Sequence, residues 1–188
     1  MLAVALLINE HAVILRGAVL VGRVLPLLES GMICPPEFLY DVVDFAQTFI
    51  GECHWGKEEG LFYAELEGKR LPAEMVRALQ AARRDHEAGR AVVAQASETA
   101  RALTGGDPSA AQAVVHGLRA IMEILPRHCA HEERQVFLPA IHYFSDAEQR
   151  LLLRNFEEFD RQLVDEKYRR TLGFWEARFS DTAAAPPG

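Results

Sequence analysis

Histidine and glutamate recur in this 188-residue sequence at a spacing that suits metal binding. Two of the seven histidines are followed four residues later by a glutamate, in His54-x-x-x-Glu58 and in His128-x-x-x-Glu132. Residues four apart share one face of an α-helix, so each pair presents an imidazole beside a carboxylate. Carboxylate oxygens can bridge two metal ions while imidazoles occupy the outer positions. The two pairs therefore indicate a dinuclear site, with iron or manganese as the favoured metals and zinc as a substitute.

Helices are the elements that would hold these residues. Glycine and proline are sparse, and between them apolar residues recur at helical spacing. This pattern predicts five helical segments, over about residues 2–29, 37–67, 72–103, 107–144 and 145–179. The sequence contains no stretch with the period-two alternation that is typical of a strand.

Two of the predicted helix starts carry local signals. Asp107 is placed to cap the fourth segment, with Pro108 at its first helical position. Ser145 and Glu148 have the spacing of a capping box at the start of the fifth segment. These signals place the start of the fourth segment near residue 107 and the boundary between the fourth and fifth segments near residue 144.

Four long helices joined by short breaks favour an all-α fold, an up-down-up-down antiparallel four-helix bundle. We predict this bundle over residues 1–144, an additional C-terminal helix over residues 145–179 packed on it, and a flexible tail over residues 180–188. In this interpretation the apolar face of the C-terminal helix covers the bundle. Its alternative use is as a homodimer interface.

The predicted bundle brings four histidines to one level. Counted from the breaks between segments, they fall at matching heights to within one helical turn: His11, His54, His86 and His128. Core packing does not require such a coincidence. A metal site does require it, and without a metal the same groups would be buried polar atoms in need of partners.

The charge balance excludes two classes of partner. The chain carries 20 Lys and Arg against 27 Asp and Glu, which is a formal net charge of −7. A nucleic-acid-binding protein needs a basic face, and attachment to an anionic membrane needs a polybasic patch. We therefore expect neither nucleic acid nor a membrane as a partner.

The N-terminus and the cysteines indicate a cytoplasmic protein. The apolar stretch over residues 1–8 has no basic residue ahead of it and is soon interrupted by polar residues. This pattern argues against an export signal and against a membrane span. An odd number of cysteines without a C-x-x-C pair is typical of reduced thiols, here Cys34, Cys53 and Cys129.

One class of dinuclear bundle is excluded by its motif. Ferritin-like proteins use Glu-x-x-His, and no histidine in this sequence has a glutamate three residues before it. The chain instead resembles the hemerythrin-like (HHE cation-binding) family over about residues 5–142. The resemblance rests on the ordered series H…HxxxE…H…HxxxE and on these stretches: Asn9-Glu10-His11, Cys53 to Glu59, Asp85 to Arg90, and His128 to Glu133 with Val136 to Pro139.

This resemblance implies a four-helix bundle around a non-haem di-iron centre with an oxo or hydroxo bridge, which binds or reacts with O2, NO or peroxide. It implies six metal ligands: His11, His54, Glu58, His86, His128 and Glu132. Oxygen-carrying hemerythrins have a fifth histidine four residues from the ligand in the third helix, where this chain has Ala82 and Arg90. Because the centre would then have more open positions, we expect reaction with the oxidant rather than reversible carriage.

Several residues near the candidate ligands have roles that the sequence leaves open. His131 is either a fifth histidine ligand or a residue at the rim of the site. Glu59 and Glu133 are expected to be solvated or to contact ligands rather than metal, and Arg90 is placed to pair with one of them. Aromatic residues about a turn beyond the carboxylates are expected to wall off the site: Phe62, Tyr63 and Phe137.

Two other functions stay open at this point. In the first, the protein is a non-catalytic iron or redox sensor whose metal occupancy controls a protein partner, because metal binding stabilises only the folded form. In the second, the bundle is vestigial or is occupied by zinc. A metal-dependent partner pull-down tests the first alternative, and a visible spectrum with bound ligand tests the second.

Overall fold

The computed structural model describes residues 2–30, 35–102, 108–160 and 164–180. Helices are the only regular elements in these ranges, which confirms the all-α prediction. In chain order the elements are α1 (Leu2–Glu29), α2 (Pro36–Asp44), π1 (Phe45–His54), α3 (Trp55–Lys57), π2 (Glu58–Phe62), α4 (Tyr63–Glu67), α5 (Ala73–Ala102), α6 (Pro108–Glu132), π3 (Glu133–Phe137), α7 (Leu138–Ala140), a 3₁₀ helix (Ile141–Tyr143), α8 (Asp146–Phe159) and α9 (Val164–Ser180).

Four rods form the bundle. The first is α1 and the third is α5. The second rod runs from α2 to α4 without a break, and the fourth from α6 to the 3₁₀ helix. Around the bundle α1 packs against α6, α6 against α5, and α5 against the second rod. This arrangement confirms the predicted four-helix bundle.

The second and fourth rods contain π-helical turns, where the sequence predicted regular α-helices. A π turn bonds residue i to residue i+5 and is therefore wider than an α turn. These turns adjoin both His-x-x-x-Glu pairs: π1 ends at His54, π2 begins at Glu58, and π3 begins immediately after Glu132. They therefore help to set the direction in which the candidate ligands project.

The C-terminal region differs from the single helix that the sequence predicted. It forms two helices, and the chain turns after Phe159. α8 packs on α1 and π2, whereas α9 packs on α1 and π1, so the two helices cover different ends of the bundle. One straight helix would have missed one of these ends.

The predicted capping box begins α8. The Ser145 hydroxyl accepts a hydrogen bond from the Glu148 amide at 3.4 Å, and the Glu148 side chain accepts one from the Ser145 amide at 2.8 Å. The other predicted cap, Asp107, lies outside the described residues, as do residues 181–188 of the predicted tail over residues 180–188. Its first residue, Ser180, is the last residue of α9.

A polar layer divides the apolar core into two parts. One apolar cluster, the α9-side core, includes Phe38, Phe49 and Trp175. The other, the α8-side core, includes Phe62 and Phe156. Between them lie the buried polar and charged residues that form the polar layer: Glu10, His11, His54, Lys57, Glu58, His86, His128 and Glu132.

Within the described residues, the stretch of α1 from Ala3 to Glu29 is long and apolar enough to cross a membrane, with a mean hydropathy of 1.7. Of the 18-residue window of α1 that meets this criterion, 56% is buried inside the bundle. Glu10 and His11 of the same helix belong to the polar layer. A helix that fills a protein core passes the same test, so this composition is weak evidence for a membrane.

Candidate metal centre

The structure brings the six predicted ligand residues together in the polar layer. Each is at most 1% exposed. They form two groups whose nitrogen and oxygen atoms lie within 4.8 Å of one another: His11, His54, Glu58 and Glu132, and then Glu58, His86, His128 and Glu132. Both glutamates belong to both groups. The arrangement therefore offers two adjacent cation positions with two shared carboxylates.

Within the two His-x-x-x-Glu pairs, the Nε2 atoms of the histidines face the carboxylates of their own rods. His54 Nε2 lies 3.1 Å from Glu58 Oε1, and His128 Nε2 lies 3.0 Å from Glu132 Oε2. These distances confirm that the spacing of four residues places both side chains on one face of the rod.

The other two histidines reach the same carboxylates from neighbouring rods. His86 Nε2 lies 3.3 Å from an oxygen of Glu58 and 3.3 Å from an oxygen of Glu132. His11 Nε2 lies 3.2 Å from Glu132 Oε2 and 3.8 Å from Glu58 Oε1. The Nε2 atoms of all four histidines therefore converge on the two glutamates.

The unpaired polar atoms of this layer fit a metal. Buried atoms without a hydrogen-bond partner among the described residues include His11 Nε2, His54 Nε2, both oxygens of Glu58, and Glu132 Oε2. They lie close together but not in hydrogen-bonding geometry, and leaving such atoms unpaired is costly. Cations between them would satisfy the whole set, and imidazole with carboxylate suits iron, manganese or zinc.

Each histidine turns its other ring nitrogen, Nδ1, toward a second carboxylate. Three of these contacts are hydrogen bonds: His11 with Glu133 at 2.9 Å, His54 with Glu10 at 2.8 Å and His86 with Glu59 at 2.6 Å. The fourth is longer, since His128 Nδ1 lies 3.5 Å from Asp85 Oδ2 and has no hydrogen-bond partner among the described residues. An Nδ1–H that donates to a carboxylate leaves the Nε2 lone pair free for a metal. The layer is thus prepared for metal by its surrounding carboxylates as well as by its candidate ligands.

Two of these carboxylates had no role in the sequence interpretation. Glu10 precedes His11 but contacts His54, and Asp85 precedes His86 but lies near His128. Glu10 therefore anchors a histidine of another rod, and Asp85 lies beside one without a hydrogen bond to it. The local signal, an acidic residue directly before a candidate ligand, was present in the sequence, but the pairing across rods was not.

Electrostatic interactions in the metal-free protein favour charged groups in the layer. Burial lowers the pKa of His54, but Glu58 and Glu10 outweigh burial and raise it to about 10. Burial raises the pKa of Glu59, but hydrogen bonds from His86 and Arg90 outweigh burial and lower it to about 2. The negative charge of the glutamates thus outweighs the effect of burial, and it favours the binding of cations in the layer.

Aromatic side chains enclose the layer. Phe137 stacks on His11 at 5.2 Å between ring centroids, and Trp55 stacks on His86 at 4.8 Å. The Tyr63 hydroxyl donates a hydrogen bond to Glu132 Oε1. Two of the three predicted wall residues, Tyr63 and Phe137, therefore contact the layer, whereas Phe62 packs on both of them. Tyr63 adds a hydrogen bond that the sequence did not indicate.

Trp55 reaches His86 because position 89 is glycine. A Cβ atom at Gly89 would lie 2.3 Å from Trp55 Cη2. The missing side chain therefore lets α5 approach the indole ring closely.

The candidates for a fifth histidine position lie away from the two groups. Arg90 pairs with Glu59 at 3.0 Å and lies over the face of Trp55, so a histidine at this position would face Glu59. Ala82 is buried in the α8-side core. His131 Nε2 lies 3.3 Å from the Ala78 carbonyl and is in neither group, which places His131 at the rim.

The cysteines take no part in the two groups as far as the chain is described. Cys53 is half-buried and Cys129 is buried. Burial raises the pKa of both thiols, with nearby carboxylates adding to the effect, so neither is activated for reaction. Cys34 lies outside the described residues.

Comparison with known proteins agrees with this geometry. The family model described as the hemerythrin HHE cation-binding domain matches residues 2–141. Curated proteins and solved structures give no match. The matched range contains all six residues of the two candidate groups and the four carboxylates that lie near the Nδ1 atoms of the histidines. This chain belongs to the hemerythrin HHE cation-binding domain family.

Proposed function

We propose that this protein holds two iron ions in the polar layer and binds or reacts with a small oxidant: O2, NO or peroxide. The observation that carries the proposal is the pair of overlapping residue groups that share Glu58 and Glu132. In this proposal Glu58 and Glu132 would help to hold both ions. His11 and His54 would hold one of them, and His86 and His128 the other.

Iron, when bound, supplies open coordination positions and a change of oxidation state for a small oxidant. The protein's own groups prepare the site. Carboxylates hydrogen-bonded to Nδ1 hold His11, His54 and His86 with Nε2 directed inward. Trp55 and Phe137 keep bulk water from the histidine rings. Tyr63 holds its hydroxyl proton against Glu132; burial, together with Glu58 and Glu132, raises the pKa of this phenol and keeps it protonated.

Open positions favour reaction over reversible binding. Each group has two histidines and two shared carboxylates. At the two positions where a further histidine was considered, Arg90 is turned toward Glu59 and Ala82 is buried in the α8-side core. Both ions would then carry exchangeable water. We expect reduced protein to consume O2 or peroxide and to end as a stable oxidised species.

Metal analysis with optical spectroscopy of anaerobically purified protein tests the proposal. We expect two irons per chain and irreversible consumption of O2 or peroxide. His128→Ala should lower the iron content, whereas His116→Ala, which changes an exposed histidine, should not. One metal per chain, O2 that cycles on and off under vacuum, or zinc in place of iron would contradict the proposal.

A further inference from the structure

A buried lysine links the C-terminal helices to the candidate metal centre. Lys57 in α3 is 1% exposed, and a buried ammonium requires opposite charges. Its Nζ donates to Glu10 Oε1 in α1 at 2.5 Å and to Asp160 Oδ2 after the end of α8. The other oxygen of Glu10 lies 2.8 Å from His54 Nδ1. These four residues, which we call the clamp, connect α8 to a candidate ligand.

Packing holds the outer end of the clamp in place. A Cβ atom at Gly56 would lie 3.1 Å from Phe159 Cζ, so the last turn of α8 rests on α3. The Asp160 amide donates to the Phe156 carbonyl at 2.9 Å, and the Phe156 ring is fully buried. Asp160 therefore has a defined position relative to Lys57, unlike one partner of a mobile surface ion pair.

The clamp extends beyond the part of the chain that matches the family. That match ends at residue 141, and Asp160 lies in the C-terminal region. The other three members of the clamp lie within the matched range. A residue outside the family domain is thus connected, through two charged side chains, to a candidate ligand inside it.

The charges in the clamp explain how Asp160 affects the contact between Glu10 and His54. Lys57 divides one positive charge between Glu10 and Asp160. Without the Asp160 carboxylate, the ammonium would pair with Glu10 alone and compete with His54 Nδ1 for the charge of Glu10. A cation on the Nε2 side polarises the imidazole ring and strengthens Nδ1–H donation to Glu10. The clamp therefore couples metal binding to the docking of α8. Because a coupling free energy between two sites is reciprocal, each of the two favours the other.

We propose that Asp160 is a positioning residue of the metal centre, which acts through Lys57 and Glu10 to hold His54 in its metal-binding orientation. The docked end of α8 is part of the support for the site, and metal binding in turn tightens the docking of α8. This inference rests on the proposed function, since it requires that the polar layer binds metal.

The test compares Asp160→Asn with a matched control in the same C-terminal region. Glu176 of α9 accepts two hydrogen bonds from Arg16 of α1, at 2.7 and 2.5 Å. Glu176→Gln therefore also removes one carboxylate that ties the C-terminal helices to α1, but this pair lies outside the clamp. The probe is Co²⁺, whose visible bands report the geometry of its ligands.

We expect Asp160→Asn to weaken Co²⁺ binding about 10-fold, the lower end of the effect of carboxylates that contact a metal ligand directly. Its visible bands should also shift, whereas Glu176→Gln should keep wild-type affinity and bands. Equal affinities and bands in the two variants would overturn the inference, even if wild-type protein binds two ions. Wild-type protein that takes up no Co²⁺ would overturn both the inference and the proposed function.

A second measurement needs no variant and does not depend on activity. Hydrogen exchange of the intact protein is followed with and without Zn²⁺. We expect Zn²⁺ to slow exchange in the last turn of α8, around Phe156 and Asp160, by a larger factor than around Glu176 in α9. An equal effect on both segments, or none in α8, would overturn the inference.

Discussion

At the scale of single residues, the polar layer depends on which nitrogen of each histidine carries the proton. A carboxylate at Nδ1 fixes that proton on the outer side and leaves Nε2 free. Glu10 has two such tasks, because one oxygen contacts His54 and the other contacts Lys57. Burial raises the pKa of Glu10, but interactions with His54 and Lys57 outweigh burial and lower it, so Glu10 is ionised.

The first prediction concerns this carboxylate. Glu10→Gln keeps the size of the side chain but replaces a charged acceptor of the His54 proton by a neutral one. We expect a loss of Co²⁺ affinity of about 10- to 100-fold, measured by spectral titration. The control is Glu29→Gln. Glu29 lies in α1 like Glu10, but it is exposed and pairs with Arg119, so its replacement should leave Co²⁺ affinity unchanged. Equal affinities in the two variants would show that Glu10 does not support the site.

The second prediction concerns the close approach of α5 to Trp55. Gly89→Ala adds a methyl group 2.3 Å from the indole ring. Overpacking costs about 1–3 kcal/mol, and alanine regains about 1 kcal/mol of helix propensity. We expect a net fall of up to about 2 kcal/mol in the free energy of unfolding, measured by denaturant titration.

The control for this substitution is Gly22→Ala in α1. A Cβ atom at Gly22 meets nothing within 4 Å among the described residues. Helix propensity alone should then raise the free energy of unfolding by about 0.5–1 kcal/mol. If both variants gained stability, the close contact of Gly89 with Trp55 would not exist in solution.

At the scale of elements, polar contacts hold α9 against the second rod. Lys167 Nζ and the Tyr168 hydroxyl both donate to Asp44 Oδ2, at 2.7 and 2.8 Å. The Trp175 indole N–H donates to Asp41 Oδ2 at 2.7 Å. Tyr168 and Trp175 also pack in the α9-side core. These contacts orient the apolar face of α9 toward the second rod.

The third prediction is a pH dependence at this contact. Burial by itself raises the pKa of Asp44, but hydrogen bonds from Lys167 and Tyr168 outweigh burial and lower it. The folded state therefore binds fewer protons here than the unfolded state. The stability that Asp44 contributes is complete above the unfolded pKa of about 3.9 and is lost as pH falls through the lower folded pKa.

We therefore expect Asp44→Asn to lower the melting temperature at pH 7, and the difference from wild type to narrow as the pH falls below about 4. Both proteins are measured with a chelator, so that metal loss at acid pH does not contribute. A difference that stays constant across this range would mean that the ionised form of Asp44 does not stabilise the docking of α9.

At the scale of the whole molecule, a charged layer crosses the middle of the core. The α8-side and α9-side cores lie on either side of it, and all four rods pass through both. Buried carboxylates without partners oppose folding. The same layer stabilises the fold when cations occupy it, because metal binds the folded chain and not the dispersed ligands of the unfolded one.

The fourth prediction follows from this coupling. Metal at 100 times its dissociation constant adds about 2.7 kcal/mol, which is about 5–10 °C in melting temperature for a chain of this size. We expect chelation to lower the melting temperature of the wild type by this amount. His116→Ala should keep the response and His128→Ala should lose it. An unchanged melting temperature after chelation of the wild type would indicate a vestigial site.

Much of the fold was predictable because its signals are local. Apolar residues at helical spacing predict helices whatever those helices pack against. A spacing of four residues places His54 beside Glu58 in any helix, and Ser145 with Glu148 caps α8 by contacts within one turn. The sequence therefore determined the four rods of the bundle, their order and the six candidate ligands.

Only the tertiary structure decided the features that join distant parts of the chain. Lys57 and Asp160 are 103 residues apart, and His11 and Glu133 are 122 apart. The π turns and the division of the C-terminal segment into α8 and α9 also depend on how the rods fit together. Side-chain spacing along one helix does not encode which residue of another rod comes within hydrogen-bond distance. That outcome depends on the rotation and packing of all the rods at once.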